Sequence, residues 1–161
     1  MNTLIVYFSL EGNTEYAAQK VALMTGADTY EIKPLKEIPK KGFKKFFWGG
    51  KSAIMAEAPE IEPHNFDMND YDRIIFGFPV WAGNFTPPIR TFIKENDLSG
   101  KTIAAFACQS GAGAEKALSK LKDELGISQF AAEMILIDPK VRHLKENELK
   151  IKEFCEKLNA L

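Results

Sequence analysis

The sequence predicts an α/β protein, a three-layer α/β/α sandwich built on a five-stranded parallel sheet, and three observations predict it. Short runs rich in Val, Ile, Phe and Ala alternate with stretches of helical periodicity, the order that parallel strands joined by crossover helices require. Those runs are apolar almost without interruption, as strands covered on both faces are. The chain of 161 residues, 45% of them apolar, suffices for one such domain and its buried core.

Taken in order, Leu4 to Phe8 is a continuous apolar run and reads as a central strand. Asn13 to Thr25 follows as a helix, with Thr14, Ala17, Ala18, Val21 and Ala22 on one stripe. Ala27 to Lys33 alternates and reads as an edge strand, and Arg73 to Val80 is a buried strand ended by Pro79. Pro87 and Pro88 suit the first turn of a helix, where an N–H would have no helical partner, and Ile89, Phe92 and Ile93 give that helix its apolar face. Lys101 to Cys108 is the fourth strand. Ala114, Ala117, Leu118, Leu121 and Leu125 mark a helix stopped by Gly126. Phe130 to Ile137 is the fifth strand, and Ile151, Phe154, Cys155 and Leu158 mark the last helix.

Residues 1–161 read as a single domain with no internal repeat and no linker. The segment 34–72 departs from the alternation and reads as a modified second helix or an insertion. From Lys33 to Lys51 it carries seven Lys and one Glu, and from Glu57 to Asp72 six acids. Phe43, Phe46, Phe47, Gly50 and Ile54 fall on one helical face, with Trp48 and Met55 on its flank.

Composition excludes several function classes. With 21 Lys and Arg against 22 Asp and Glu, there is no basic excess to bind a phosphate backbone, so no nucleic-acid partner is expected. No apolar run reaches the roughly 18 residues of a spanning helix, and the first residues read as a strand rather than a signal peptide, so no membrane partner is expected. Cys108 and Cys155 read as reduced thiols of a cytoplasmic protein. His64 and His143 have no ligand partner at metal spacing, so no metal site is expected.

In parallel sheets, ligands bind outside the carboxyl ends of the strands, where the strand order switches. The loops to weigh are therefore Ser9–Thr14, Pro79–Thr86 and Gln109–Gly113. The first joins a strand to a helix start, whose free N–H groups and positive dipole end favour an anion such as a phosphate monoester. Ser9, Asn13 and Thr14 add short polar side chains, and Gly12 permits positive φ and close backbone approach. The same residues could instead form an ordinary capped turn.

Other local patterns fail on a required residue. Gly49-Gly50-Lys51-Ser52 imitates the end of a P-loop, but Lys45 stands at its first glycine. Gly111 and Gly113 begin a dinucleotide fingerprint that Lys116 breaks. Cys108 lacks the arginine six residues on that phosphatase chemistry uses, Ala114 standing there, and Cys108 also replaces the first glycine of a hydrolase elbow at Ser110. Lys44-Lys45-Phe46-Phe47-Trp48 reads as a solvated lysine face opposite an apolar stripe rather than a nucleic-acid stacking patch.

Ser9-Leu10-Glu11-Gly12-Asn13-Thr14 resembles the phosphate loop of flavodoxins and related proteins of flavin mononucleotide (FMN). Pro79-Val80-Trp81-Ala82-Gly83-Asn84 resembles the loop that covers one face of the flavin ring there, and Gln109-Ser110-Gly111-Ala112-Gly113 occupies the position of the third flavin loop. The resemblance runs over essentially the whole chain. It implies a flavodoxin-like strand order 2-1-3-4-5 and non-covalent FMN. Ser9, Gly12, Asn13 and Thr14 would hold the phosphate, with the Glu11 charge pointing outward. Pro79, Val80, Trp81, Ala82, Gly83 and Asn84 would flank the ring, Trp81 stacking on it or meeting its edge. Gly83 would let its peptide rotate when the flavin gains a proton. Gln109, Ser110, Gly111 and Gly113 would meet the pyrimidine end.

Two functions follow from the resemblance, neither needing a catalytic protein residue, because the cofactor carries the redox step. One is an electron carrier between redox partner proteins. The other is an NAD(P)H-dependent flavin oxidoreductase of quinone-reductase type, acting on a small-molecule acceptor. The net charge of −1 departs from the strongly acidic carriers of that family and keeps the second open.

Overall fold

Alternation of side chains across an extended backbone divides each apolar strand between two faces, and the fold follows from covering both. The structure, a computed structural model, describes residues 1–36 and 58–161. Its strands are β1 (Thr3–Tyr7), β2 (Asp28–Glu31), β3 (Arg73–Pro79), β4 (Thr102–Gln109) and β5 (Glu133–Ile137). The helices among the described residues are α1 (Asn13–Thr25), α2 (Pro87–Glu95), α3 (Ala114–Leu125) and α4 (Leu144–Asn159), with a short 3-10 turn at Met68–Asp70. The sheet is parallel throughout, in the order β2-β1-β3-β4-β5. This is the order that the resemblance noted above implies.

Leu4 and Val6 of β1, with Ile74, Phe76 and Phe78 of β3, face one core, covered by Ile89 and Phe92 of α2 and by Ala117, Leu118 and Leu121 of α3. Ile5, Tyr7 and Ile75 face the other, covered by Ala17, Ala18 and Val21 of α1 and by Ile151, Phe154 and Leu158 of α4. Each fully buried Leu, Ile or Phe contributes about 1.5–3 kcal/mol, so the sheet is anchored from both sides. Gly77 pairs with Phe106 across β3 and β4. A Cβ on Gly77 would stand 2.2 Å from the Phe106 ring, so only glycine admits that ring.

Two strand boundaries differ from expectation by more than one residue. β2 is shorter, Asp28–Glu31, because the chain turns after Ile32 donates its N–H to Tyr7 at 2.7 Å. β5 begins at Glu133 rather than Phe130. Residues two apart in a strand share a face, whereas Phe130 enters one core and Ala132 the other, so the chain between them is not extended.

Of the segment 34–72, the described parts run beside β2. Pro34 and Ile61 form an antiparallel bridge, supported by the Leu35 N–H on the Glu60 carbonyl at 2.9 Å and the Glu62 N–H on the Lys33 carbonyl at 2.8 Å. His64, in a loop and half-buried, is stacked on Phe66 with ring centroids 4.0 Å apart and bonded to Asn96 at 2.9 Å. The apolar stripe Phe43, Phe46, Phe47, Gly50 and Ile54, its flank Trp48 and Met55, and the Gly49–Ser52 stretch lie outside the described residues. Among the described residues, no helix is long and apolar enough to cross a membrane.

Candidate functional site

The strand order reverses direction at β1 and β3, so the loops that leave their carboxyl ends diverge to opposite faces and open a cleft. After β1, Phe8 is held by its N–H on the Gly77 carbonyl at 3.1 Å. Gly12, at φ +92, then turns the chain into α1. Ser9 Oγ accepts the Glu15 N–H at 3.2 Å, which ties the loop to the first turn of the helix. Glu11 is exposed, as expected of a charge that points outward.

Thr14 lies at the cleft floor, 1% exposed. Its hydroxyl is close enough to the Cys108 thiol to ease that group's ionisation, yet makes no regular hydrogen bond with it or with any other described residue. A buried hydroxyl without a partner costs about 1–3 kcal/mol. At the positive end of a helix dipole, an anion that accepts from it removes that cost.

The loop after β3 is a tight turn. The Trp81 N–H donates to the Asn84 carbonyl at 3.0 Å and the Asn84 N–H to the Trp81 carbonyl at 2.9 Å. Ala82 and Gly83 between them both have positive φ, +48 and +69. Asn84 braces the turn, donating from Nδ2 to the Ala82 carbonyl at 3.0 Å, and its Oδ1 accepts from Lys120. Trp81 is buried, edge-on to Phe8 with centroids 5.7 Å apart, and lines the cleft beside Pro79 and Val80.

After β4, Gln109 Oε1 accepts the Ala114 N–H at 2.9 Å and so caps α3. The Gly113 backbone packs against Gly83, where a Cβ on Gly113 would stand 3.1 Å from the Gly83 Cα. The second and third loops are thereby locked together. Ser110, Gly111 and Ala112 form an exposed tip.

A fourth loop, after β5, completes the site and was not read from the sequence. Asp138, at φ +39 and largely buried, accepts from Ser110 Oγ at 2.7 Å and from Arg142 Nε at 2.7 Å. Arg142 also donates to the Ser110 carbonyl at 2.9 Å. Lys140 donates its N–H to Asn13 Oδ1 at 3.0 Å. The general rule that ligands gather at strand carboxyl ends applies equally to β5, and Asp138, Lys140 and Arg142 follow it directly in sequence.

Of the residues expected at a site, Ser9, Glu11, Asn13, Thr14, Pro79, Val80, Trp81 and Ser110 line this cleft together. Gly12 borders the adjoining groove. Ala82, Gly83, Asn84, Gln109, Gly111 and Gly113 lie outside the lining, and the contacts above show most of them shaping the loops. Leu10, Cys108 and Asp138 line the cleft in addition. The cleft is small, about 70 Å³, so most of a larger ligand would lie outside it, along the loop tips. Burial, with Asp138 adding, pushes the Cys108 thiol up to about 12. It is therefore neutral near pH 7 and no nucleophile.

Fold and cleft together define a doubly wound α/β protein with a polar-lined cleft at its switch point. The family model for flavodoxin matches residues 2–157, and the chain belongs to the flavodoxin family. A solved protein of Bacteroides eggerthii, assigned as a flavoprotein, is similar at 25% identity and a TM-score of 0.76, over 95% of this chain and 97% of that one. A Lactobacillus acidophilus flavoprotein in complex with FMN shares the fold at 23% identity and a TM-score of 0.65, over 91% of this chain and 98% of that one. Oxidised flavodoxin 2 of Bacillus cereus does so at 18% identity and a TM-score of 0.62, with 99% of each chain covered. Family membership, with an FMN complex among the similar structures, supports FMN as the cofactor.

Proposed function

We propose that this chain holds FMN non-covalently in the cleft and exchanges electrons through it with redox partner proteins. The observation that carries the cofactor reading is the buried, unpartnered Thr14 hydroxyl at the start of α1, beneath a loop that Gly12 alone allows to turn so tightly. Thr14 and the free N–H groups of the first helical turn would hold the phosphate, with Ser9 fixing the loop. Trp81, Val80 and Pro79 would bound the ring on the β3 side, and Ser110, kept in place by Asp138, on the β4 side. Bound there, FMN supplies the redox chemistry.

The chain's own groups position and insulate. The Cys108 thiol, held neutral, contributes bulk rather than charge, and the Asp138 carboxylate is engaged by Ser110 and Arg142. The tips at Ala82, Ser110, Gly111 and Ala112 are exposed. A group held between them meets a partner surface directly, which favours the carrier role over turnover of a small molecule. Anaerobic mixing separates the two. The carrier reading expects FMN-loaded protein to be reduced by a partner reductase and to stay oxidised with NADPH or NADH alone. Rapid reduction by either nucleotide, followed by turnover of a quinone, would contradict it.

A further inference from the structure

The connection from β5 to α4 reaches across the top of the fold. β5 is the edge strand farthest from β2, yet Lys140 bonds to Asn13 at the start of α1, because α1 and α4 cover the same sheet face. The turn that presents Lys140 is stapled: the Asp138 carbonyl accepts the N–H groups of Val141 and Arg142, each at 2.9 Å, and the Arg142 guanidinium pairs with the Asp138 carboxylate. The Lys140 side chain then runs over Gly12, its Nζ 2.9 Å from where a Cβ there would stand.

This is an unfavourable place for an isolated cation, since an ammonium in front of a helix N-terminus is repelled by the positive end of the dipole. Glu11, Glu15, Glu31 and Glu62 border the same groove, together with Lys33, yet among the described residues Lys140 closes to ion-pair distance with none of them. An anion between the ammonium and the helix turns that repulsion into attraction on both sides. The buried Thr14 hydroxyl, two residues after Gly12, lines the adjoining cleft, which shares Ser9, Leu10 and Glu11 with this groove, and it has no hydrogen-bond partner among the described residues, so it too lacks an acceptor.

We propose that Lys140 is a cationic clamp on the terminal phosphate of the ligand, selecting the phosphomonoester against the same flavin without its phosphate. The proposal rests on the FMN reading above. The lysine acts as a point charge through a charge-assisted hydrogen bond to a phosphate oxygen.

The test is fluorescence titration of the full chain, freed of any flavin, with FMN and with riboflavin at low and high salt. Lys140→Gln is expected to lose about tenfold in FMN affinity, about 1.4 kcal/mol, and to leave riboflavin affinity unchanged. Its FMN binding becomes less sensitive to salt, because one screened charge contact is gone, and Lys140→Arg keeps most of the selectivity. Lys140→Gln with the wild-type ratio of FMN to riboflavin affinity would overturn the proposal and leave the FMN reading standing. A wild-type chain that binds neither flavin would overturn both.

Discussion

At the amino end of the sheet, Gly26, Gly100 and Gly126 have φ of +70, +74 and +67. A Cβ on any of them would meet nothing within 4 Å. At the carboxyl end, Gly12, Gly83 and Gly113 have φ of +92, +69 and +103, and a Cβ would meet Lys140 Nζ at 2.9 Å, Lys116 Cδ at 3.2 Å and the Gly83 backbone at 3.1 Å. Three residues with side chains, Ala82, Asp138 and His143, take positive φ at that end too. The same backbone conformation thus serves two purposes. Before β2, β4 and β5 it only reverses the chain, and space around it is open. After β1, β3, β4 and β5 it packs four loops so closely that N–H groups and short polar side chains converge on one cleft, at a strain of about 1–3 kcal/mol per unfavourable residue.

Gly113→Ala and Gly126→Ala give the largest separation between the two ends. The first adds a backbone clash to the φ strain and should lower stability by about 3 kcal/mol. The second meets no neighbour and should cost about 1 kcal/mol. Urea unfolding of both variants measures the gap, and equal losses would erase the distinction.

Gly12→Asp sharpens it from the ligand side. It places a like charge in the anion site and should weaken FMN binding at least about tenfold, 1.4 kcal/mol. The far-ultraviolet circular dichroism should stay unchanged. An unaltered FMN affinity would remove loop 9–14 from the site.

Titration offers a smaller effect at the same end. Cys108 is raised from 9.0 to about 12 and Tyr7 from 10.0 to about 12, both chiefly by burial. The folded state therefore keeps protons that the unfolded chain releases. Stability is full below pH 9 and falls as pH rises from 9 toward 12. Thermal melts across that range should show the decline, and Cys108→Ala should flatten part of it. A midpoint flat with pH in the wild type would contradict the burial argument. Cys108→Ser, smallest of all, should leave reduction of the FMN-loaded protein near the wild-type rate, since the thiol lines the cleft without reacting. Loss of reduction in that variant would show otherwise.

The strands and helices were legible because each apolar run is long enough to be covered on both faces, as Leu4–Phe8 and Arg73–Val80 show. Phe130 misled because an aromatic residue three positions before a strand looks like part of it, although its ring enters the opposite core. Ser9, Gly12 and Thr14 were readable from chemistry that declares itself locally: a strand end, a glycine, a helix start. Lys140 and Asp138 were not, since their roles arise from α4 lying over α1, a contact between residues 127 apart at Asn13 and Lys140. Gln109 illustrates the converse. Its amide looked free to meet a ligand, and the structure engages its carbonyl oxygen in capping α3.

The most direct test of the central claim, that the cleft holds FMN through loop 9–14, is a crystal structure of the FMN-soaked or co-purified chain. The account predicts a phosphate within hydrogen-bond reach of Thr14 Oγ1 and the first N–H groups of α1, with the ring beside Trp81. A flavin bound elsewhere, or its phosphate facing solvent while Thr14 stays unpartnered, would contradict it.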